Sequence, residues 1–450
     1  MNWFSGLFGK KSAAEPQILA PVDEAEPPQT PRSAPAEADG LGLPSFQGTA
    51  SDHLRDGHRG PLDIARFRLR DAFTPSRPIN RPQMFAGRTQ VLRTLIRAIE
   101  EQHLHVVLYG ERGIGKTSLL NILTQLAQNA KYIVRYVSCS EDADFNTTFR
   151  SILRDLPLMY HKDYAPTSEE AERGASLLEL VGEEPLSVAK AGELLARLAN
   201  TRVVIILDEY DRAANPAFRS AIAELIKTLS DRSVRVQLVI AGVASSLSEL
   251  IDRIPSIRRN ILGLQVPNMD DQEIAQLVRN GQSVSGLNFA PDVVRFITSF
   301  ACGSPYIASL LSQYSGIMTL DRGATTVEKS DVVAAIRKAL EEIRLRVPPQ
   351  TLYRIDQAYQ AGYSSVLGLL ACTALNAGGT LQSSLVTEVA NVEGWAPGCI
   401  DEIEHNFGLV GRISGDPSGA YHFMDEGVPI YLWMNYAEGE LCRQDPHKTF

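Results

Sequence analysis

The segment from Gly110 to Thr117 constrains this chain more than any other part of its sequence. It reads Gly-Glu-Arg-Gly-Ile-Gly-Lys-Thr, follows the apolar run Leu104–Tyr109 and opens a helix-forming stretch. Its glycines let successive backbone N–H groups face one anion, and the start of the helix adds the positive end of its dipole. A glycine-rich turn between a strand and a helix, closed by Lys-Thr, predicts a phosphate-binding loop.

Roles within this loop follow from the residue types. Lys116 should reach the β and γ phosphates of a nucleotide, and Thr117 should be a ligand of Mg²⁺. The backbone N–H groups should bind the other phosphate oxygens. The residues predicted to contact the nucleotide are Gly110, Glu111, Arg112, Gly113, Ile114, Gly115, Lys116, Thr117 and Ser118.

A second apolar run, Val203–Leu207, ends in two carboxylates, Asp208 and Glu209. Because this pair follows a phosphate loop along the chain, we expect the aspartate to hold Mg²⁺ together with Thr117, and the glutamate to orient an attacking water. The pair favours hydrolysis of a nucleotide over simple binding. ATP is the expected nucleotide, because no Asn-Lys-x-Asp segment specific for guanine follows.

The rest of the pattern indicates the fold class. From Leu95 to Ile240, short apolar runs alternate with helical patterns, which predicts a parallel sheet covered by helices on both faces. Asp270 caps the first of several later helices, and Pro291 opens another. Beyond residue 348, helices precede two short strands, 409–414 and 421–424, an order typical of a winged-helix module.

Composition excludes several classes of protein. A chain of 450 residues predicts two or three domains, and 44% hydrophobic with 22% charged residues describes a globular protein. No apolar run reaches the roughly 18 residues of a membrane-spanning helix. The five cysteines are odd in number and far apart, so we expect neither a disulfide framework nor a metal cluster. That cysteine usage fits a reducing cytoplasm.

Together these motifs resemble the AAA+ class of P-loop ATPases, in the branch that contains origin-recognition-like ATPases and STAND regulatory ATPases. The resemblance covers residues 80 to 435. Met84–Arg88 looks like the hydrophobic-Gly-Arg box of this family, which implies that Phe85 and Arg88 contribute to the adenine site. The acids that usually follow the box are a threonine and a glutamine here.

Three further segments resemble this family less specifically. Ser245 stands where the family places a polar sensor of the γ phosphate, although an ordinary strand-to-helix cap would look the same. Arg259 looks like an arginine finger, which would complete the site of a neighbouring subunit and therefore requires an oligomer; a surface charge is the alternative. Pro305 belongs to a Gly-x-Pro motif like that of STAND ATPases, where the proline packs near the base. The absence of a second-sensor arginine favours a switch over a processive motor.

The implied fold class is an α/β P-loop NTPase followed by an α-helical lid and a winged-helix domain. We predict a Pro/Ala/Glu-rich tail with a short apolar head (1–45), an Arg-rich linker (46–80), an ATPase core (81–265), a lid (266–347), a winged-helix-like domain (348–437) and a C-terminal tail (438–450).

Local charge separates the possible partners. The net charge is -9, yet residues 55–97 contain ten arginines against three aspartates, while residues 381–434 contain one arginine against eight acids. The acidic module should be repelled by DNA and should contact protein. The Arg-rich stretch could bind phosphate or pair with acids elsewhere in the molecule. Residues 1–11 combine aromatic residues with two lysines, so the head is either a weak membrane contact, a docking peptide or a floppy terminus.

These features favour one of three hypotheses. The first is an ATP-hydrolysing regulatory switch of AAA+/STAND type, whose nucleotide state controls assembly or engagement of a protein partner. The alternative is a DNA-associated AAA+ ATPase of replication-initiation or transposition type. A scaffold that binds ATP without turnover is disfavoured by the intact Lys116, Asp208 and Glu209.

Overall fold

The computed structural model describes residues 60–444, with gaps at 165–166, 168, 170–172, 233, 245, 252–254, 397, 414–418 and 426. It also describes two short strands, β1 (Glu37–Ala38) and β2 (Leu43–Pro44), which pair antiparallel. The expectations for the apolar head at residues 1–11 lie outside the described residues.

A five-stranded parallel sheet forms the centre of the first half of the chain. Its strands are β3 (His105–Gly110), β4 (Ile133–Ser138), β5 (Val203–Asp208), β6 (Val236–Val243) and β7 (Ile261–Gln265), in the order β4-β5-β6-β3-β7. All six residues of β5 are buried, as expected for a strand covered on both faces. The predicted parallel sheet is confirmed.

Helices cover both faces of this sheet, because alternate strand residues point to opposite sides. Val204 and Ile206 pack with Leu119 on one face, and Ile205 and Leu207 belong to the separate apolar cluster on the other face. The first half of the chain contains α1 (Pro61–Ala72), which packs elsewhere, and the helices α2 (Thr89–Glu100), α3 (Lys116–Asn129), α4 (Phe145–Arg154), α5 (Val188–Ala196), α6 (Pro216–Asp231) and the short α7 (Leu247–Leu250). Short 3-10 helices are Pro82–Met84, Leu158–Tyr160, Leu177–Leu180, Tyr210–Arg212 and Pro255–Asn260.

A helical segment follows the sheet. It contains α8 (Asp271–Ser285), α9 (Pro291–Ala301), α10 (Pro305–Asp321) and α11 (Lys329–Arg344), with the paired strands β8 (Asn288–Phe289) and β9 (Thr326–Val327). The Asp270 side chain accepts a hydrogen bond from the Glu273 backbone N–H at 2.8 Å, and Pro291 is the first residue of α9. Both predicted helix starts are confirmed.

Helix α1 lies inside the stretch predicted as a linker, yet it packs on this helical segment. Leu69 and Phe73 are almost fully buried, and they lie so close to Gly316 and Gly281 that neither glycine has room for a Cβ atom. The charge count of this stretch registered its arginines and gave no sign of the apolar face. The helix therefore joins the apolar core of the segment that follows the sheet.

The last part of the chain combines helices with a small antiparallel sheet of order β10-β12-β11. Trp433 is buried and its Nε1–H donates to the Phe300 carbonyl at 2.9 Å, so this part shares one core with the preceding helices. Its elements are α12 (Pro349–Gln360), α13 (Ser364–Asn376), β10 (Thr380–Leu381), α14 (Ser383–Glu393), α15 (Cys399–Phe407), β11 (Val410–Arg412), β12 (Tyr421–Phe423) and α16 (Val428–Gln444).

The predicted hairpin is confirmed by β11 and β12, in which Val410 pairs with Phe423 and Arg412 with Tyr421. Helix α16 runs through much of the predicted C-terminal tail, because its apolar residues cover α13. Within the described ranges, no helix is both long and apolar enough to cross a membrane.

Candidate nucleotide-binding site

The phosphate-binding loop lies at the carboxyl end of β3 and leads into α3. Gly113 and Gly115 have φ values of +75° and +94°, which other residues rarely adopt. A Cβ at Gly115 would lie 2.7 Å from Nη1 of Arg88, so the loop also needs a glycine for space. The Lys116 ammonium donates to the carbonyls of Gly110 and Glu111, both at 2.8 Å. The lysine thus lies against the loop, next to where phosphates would bind.

A cavity of about 900 Å³ opens beside this loop. A volume of this order is typical of a site for a small molecule or cofactor. Its walls come from the loop, from the end of β5 and from the start of α10. Among the predicted site residues, it is lined by Arg112, Gly113, Gly115, Lys116, Thr117, Ser118, Asp208, Glu209 and Pro305.

Asp208 ends β5 and is nearly fully buried. Its Oδ2 accepts hydrogen bonds from the Thr117 hydroxyl at 2.8 Å and from the Tyr136 hydroxyl, and its Oδ1 accepts the Glu209 backbone N–H at 2.8 Å. Burial, with the hydrogen bond to Asp208, raises the pKa of Tyr136, which keeps its hydroxyl protonated as a donor. Three donors therefore compensate the buried carboxylate.

Glu209 follows in a left-handed backbone conformation, with φ at +53°. Its Oε2 accepts hydrogen bonds from the Ser138 hydroxyl at 2.9 Å and from Arg212 Nη1 at 2.8 Å. These two bonds, that from Ser138 first, lower the pKa of Glu209 below its ordinary value. Glu209 is therefore ionised at neutral pH, and a carboxylate in that state can accept a hydrogen bond from water.

The oxygen atoms beside the loop suit Mg²⁺. Thr117 and Asp208 supply a hydroxyl and a carboxylate, and Mg²⁺ commonly takes only one or two protein ligands together with phosphates and water. In the part of the chain that the structure describes, no group of three or more His, Cys, Asp or Glu residues could hold a metal by itself. The donor set therefore fits a metal that arrives with a nucleotide.

The box at residues 84–88 lies behind the loop. The guanidinium of Arg88 is near Gly115, and its backbone N–H donates to the Glu273 carboxylate of α8. Burial lowers the pKa of Arg88 to about 10, and Glu273 partly opposes this shift. Neither Phe85 nor Arg88 lines the cavity, whereas Met84 does. The box thus ties the loop to the helical segment, and its adenine contact stays a prediction.

The Gly-x-Pro motif also lies next to the phosphate loop. Cys302 and Gly303 both have positive φ values, +49° and +71°, and so turn the chain from α9 into α10. If Gly115 carried a Cβ, that atom would lie 4.0 Å from Cγ of Pro305. A Cβ at Gly113 would lie 3.7 Å from Cβ of Tyr306. The helical segment therefore meets the loop at the start of α10.

The last part of the chain also reaches the loop. Asn268 donates from Nδ2 to the carbonyls of Leu375 at 2.5 Å and Asn376 at 3.1 Å, at the end of α13. Just beyond, Gly379 adopts φ of +87°, and a Cβ there would overlap Oε1 of Glu111, so that the carboxylate would have to move to admit it. The turn after α13 is thus seated on the second residue of the phosphate loop.

Several predicted residues do not line the cavity, among them Phe85 and Arg88 of the box and Gly110, Glu111 and Ile114 of the loop. Arg259 is exposed on the 3-10 helix Pro255–Asn260 and does not line the cavity. Ser245 lies outside the described residues. Sequence reasoning also missed residues that the structure does bring to the site, namely Tyr136, Ser138 and Arg212.

The position of Ser138 could have been found from strand register. Residue 138 pairs with residue 208 in the parallel ladder, and the carboxyl ends of parallel strands meet at one edge.

The segment 74–81 also lines the cavity, and the sequence did not predict this. It is fastened to α3 by the Ile79 N–H, which donates to Ser118 Oγ at 3.0 Å, and by Asn121 Nδ2, which donates to the Ile79 carbonyl at 3.3 Å.

Comparison with known proteins agrees with this geometry. Residues 84–240, about a third of the chain, match the family model described as AAA ATPase domain. A search of curated protein sequences gave no match.

Among solved structures, the chain is similar to three proteins of low sequence identity. They are the RuvB Holliday junction branch migration motor of Thermotoga maritima (15% identity, TM-score 0.43, covering 79% of this chain and 96% of that one), the Walker-type ATPase PABY2304 of Pyrococcus abyssi (15%, 0.45, 79% and 98%) and Cdc6p of Pyrobaculum aerophilum (16%, 0.42, 83% and 98%). At such scores the likeness concerns the fold alone.

Proposed function

We propose that this protein is an ATP-binding and ATP-hydrolysing regulatory switch of AAA+/STAND type, whose nucleotide state controls assembly or engagement of a partner. One observation carries the proposal: the helical segment and the last part of the chain both contact the phosphate loop, through Pro305 and Gly379. A nucleotide that fills the cavity would meet Pro305, which lines it, and the phosphate loop against which the last part of the chain lies. Binding energy that differs between ATP and ADP would then shift the position of both parts.

The proposed chemistry is hydrolysis of the γ-phosphate bond. Lys116 would bind the phosphates, Thr117 and Asp208 would hold Mg²⁺, and ionised Glu209 would orient the attacking water. When bound, Mg²⁺ would neutralise negative charge on the phosphate oxygens. Ser245 is proposed as the polar sensor. The proposed limits of the parts are 81–265 for the ATPase core, 266–347 for the lid and 348–437 for the winged-helix-like domain.

An oligomer belongs to this proposal. Arg259 is exposed and does not line its own cavity, as expected of an arginine that completes the site of a neighbouring copy. We also propose a cytoplasmic location. The four cysteines whose side chains the structure describes are all free and buried, as expected for a chain kept in reducing conditions.

The acidic last part of the chain is proposed to contact protein. Arg412 is the one lysine or arginine of the stretch 381–434. Its guanidinium donates to Asp401 at 2.6 Å, lies 3.7 Å from Glu404 and stacks over Tyr421. Its charge is thereby matched by two carboxylates. A DNA backbone would meet an unfavourable field there, because phosphate contacts need free cations.

The first test is the molar mass of the Glu209→Gln full chain, measured by light scattering with ADP, with ATP, and with ATP plus duplex DNA. The variant should bind ATP normally and lose turnover by at least about 100-fold, since the side chain keeps its shape but is no longer a carboxylate. We expect the mass to rise with ATP alone. Unchanged hydrolysis would remove Glu209 from its proposed role, and a mass indifferent to nucleotide would contradict the assembly switch.

The alternative is a DNA-associated ATPase. It is favoured by Arg68, Arg77 and Arg93, which are exposed in the Arg-rich stretch. A rise in mass only with DNA would support this alternative against the switch. A linear fall of log affinity with log salt, lost when these three arginines are changed to glutamate, would identify them as phosphate contacts.

A further inference from the structure

Tyr136 stands at the open edge of the sheet, beside the two carboxylates. It lies on β4, the edge strand, two residues before Ser138, so both side chains point to the same face. The Tyr136 hydroxyl donates to Asp208 Oδ2, and the Ser138 hydroxyl donates to Glu209 Oε2. One strand thus supplies a separate hydroxyl to each of the two acids.

We propose that Tyr136 is a positioning residue for Mg²⁺, which holds the Asp208 carboxylate in the orientation that shares the metal with Thr117. The proposal rests on the nucleotide and metal site proposed above and does not depend on the switch. Metal-binding side chains are commonly oriented by outer hydrogen bonds of this kind. Asp208 is in turn the residue to which Thr117 donates its own hydroxyl hydrogen.

Packing does not explain this tyrosine. Its exposed fraction is 39%, which is large for an aromatic side chain on a strand next to a buried carboxylate. The same Asp208 oxygen receives the Thr117 and the Tyr136 hydroxyls, so the tyrosine fixes which oxygen faces the phosphate loop. Without the tyrosine, Oδ2 keeps only the Thr117 hydroxyl and Oδ1 only the Glu209 N–H. The carboxylate would then be held less firmly about its terminal bond, a torsion with a broad energy profile.

Tyr132 provides a matched control. It lies one residue before β4, and its hydroxyl donates to the Glu100 carboxylate at 3.4 Å, whereas the Tyr136 hydroxyl donates to Asp208. Tyr132→Phe and Tyr136→Phe each remove one oxygen atom and keep the ring. Any difference between the two variants therefore reports the hydrogen bond to Asp208 and not the loss of a tyrosine hydroxyl in general.

The experiment measures metal binding without turnover. The full-length wild type, Tyr136→Phe and Tyr132→Phe proteins are saturated with ADP, and Mn²⁺ is titrated while the free ion is followed by electron paramagnetic resonance. We expect Mn²⁺ to bind about 10-fold more weakly to Tyr136→Phe, at the lower end of the effect of outer hydrogen-bond partners. Tyr132→Phe should equal the wild type. Equal or tighter Mn²⁺ binding in Tyr136→Phe would overturn the proposal.

A second readout separates positioning from catalysis and from misfolding. ADP affinity in EDTA should stay within about 2-fold of the wild type, which shows an intact fold and loop. In ATP turnover by Tyr136→Phe, the Mg²⁺ concentration that gives the half-maximal rate should rise by about 10-fold. At saturating Mg²⁺, the rate of this variant should equal that of the wild type. A rate that stays low at saturating Mg²⁺ would contradict a positioning role. Absent turnover in all proteins would refute ATP hydrolysis and still leave the Mn²⁺ result readable.

Discussion

The phosphate loop is flanked by two walls, which are built in different ways. On the sheet side, the polar groups meet partners in the same domain: Thr117 donates to Asp208, and Ser138 donates to Glu209. On the other side, the chain approaches through close contacts at Pro305 and at the turn containing Gly379. The comparison teaches that the first wall is held together by hydrogen bonds between neighbouring elements, whereas the second depends on small residues that let distant segments come near.

The largest expected effect is on the first wall. Lys116→Ala removes the cation beside the loop, and ATP affinity should fall by about 10- to 100-fold, the loss associated with a hydrogen bond to a charged group. The affinity is measured by titration calorimetry, with Lys227→Ala on the exposed surface of α6 as the control. Normal ATP affinity in Lys116→Ala would break the assignment of the phosphate loop.

The second wall is tested by two adjacent glycines. Gly378 and Gly379 have positive φ values of +68° and +87°, so alanine at either position should cost about 1 kcal/mol of stability. A Cβ at Gly379 also meets Glu111, whereas a Cβ at Gly378 has nothing within 4 Å. Since the Glu111 carboxylate is the movable end of its side chain, thermal unfolding should still show similar losses for both variants.

Only Gly379→Ala should alter the nucleotide response. Because the added Cβ displaces the Glu111 carboxylate from the turn, we expect the mass of this variant with ADP to approach the mass that the wild type shows with ATP. Gly378→Ala should keep the wild-type response, as measured by light scattering. Identical behaviour of the two variants would show that the contact with Glu111 does not couple the last part of the chain to the loop.

The smallest effect is expected far from both walls. Arg412→Ala removes a guanidinium that already pairs with Asp401 and Glu404, so any DNA affinity of the full protein, and its slope against salt, should not change. Fluorescence anisotropy with a labelled duplex measures both quantities. A weaker affinity with a slope reduced by about 1 would mean that Arg412 contacts phosphate after all.

The sequence predicted the first wall better than the second. Gly110–Thr117 and the pair at the end of β5 were readable because each is a local pattern of glycine, apolar and charged residues with a direct chemical meaning. Tyr136 was not readable in this way, since nothing in residues 133–138 states which neighbour its hydroxyl will meet. The parallel register of β4 and β5 decides that.

Charge counting also met its limit in α1. Its arginines suggested a linker that could bind phosphate or pair with acids elsewhere in the molecule. The charge count did not show that Leu69 and Phe73 form an apolar face, which packs against glycines of α8 and α10. A count over a window adds both faces of a helix together. Only the direction of each side chain separates the buried face from the exposed one.

By itself, the sequence determined the parallel sheet, the phosphate loop and the acidic pair, because short-range periodicity and backbone conformation are properties of neighbouring residues. The tertiary structure alone decided that the turn at Gly379 reaches Glu111 and that Tyr136 reaches Asp208. Those contacts join residues 268 and 72 positions apart along the chain. Their formation depends on how whole elements pack, which no local pattern encodes.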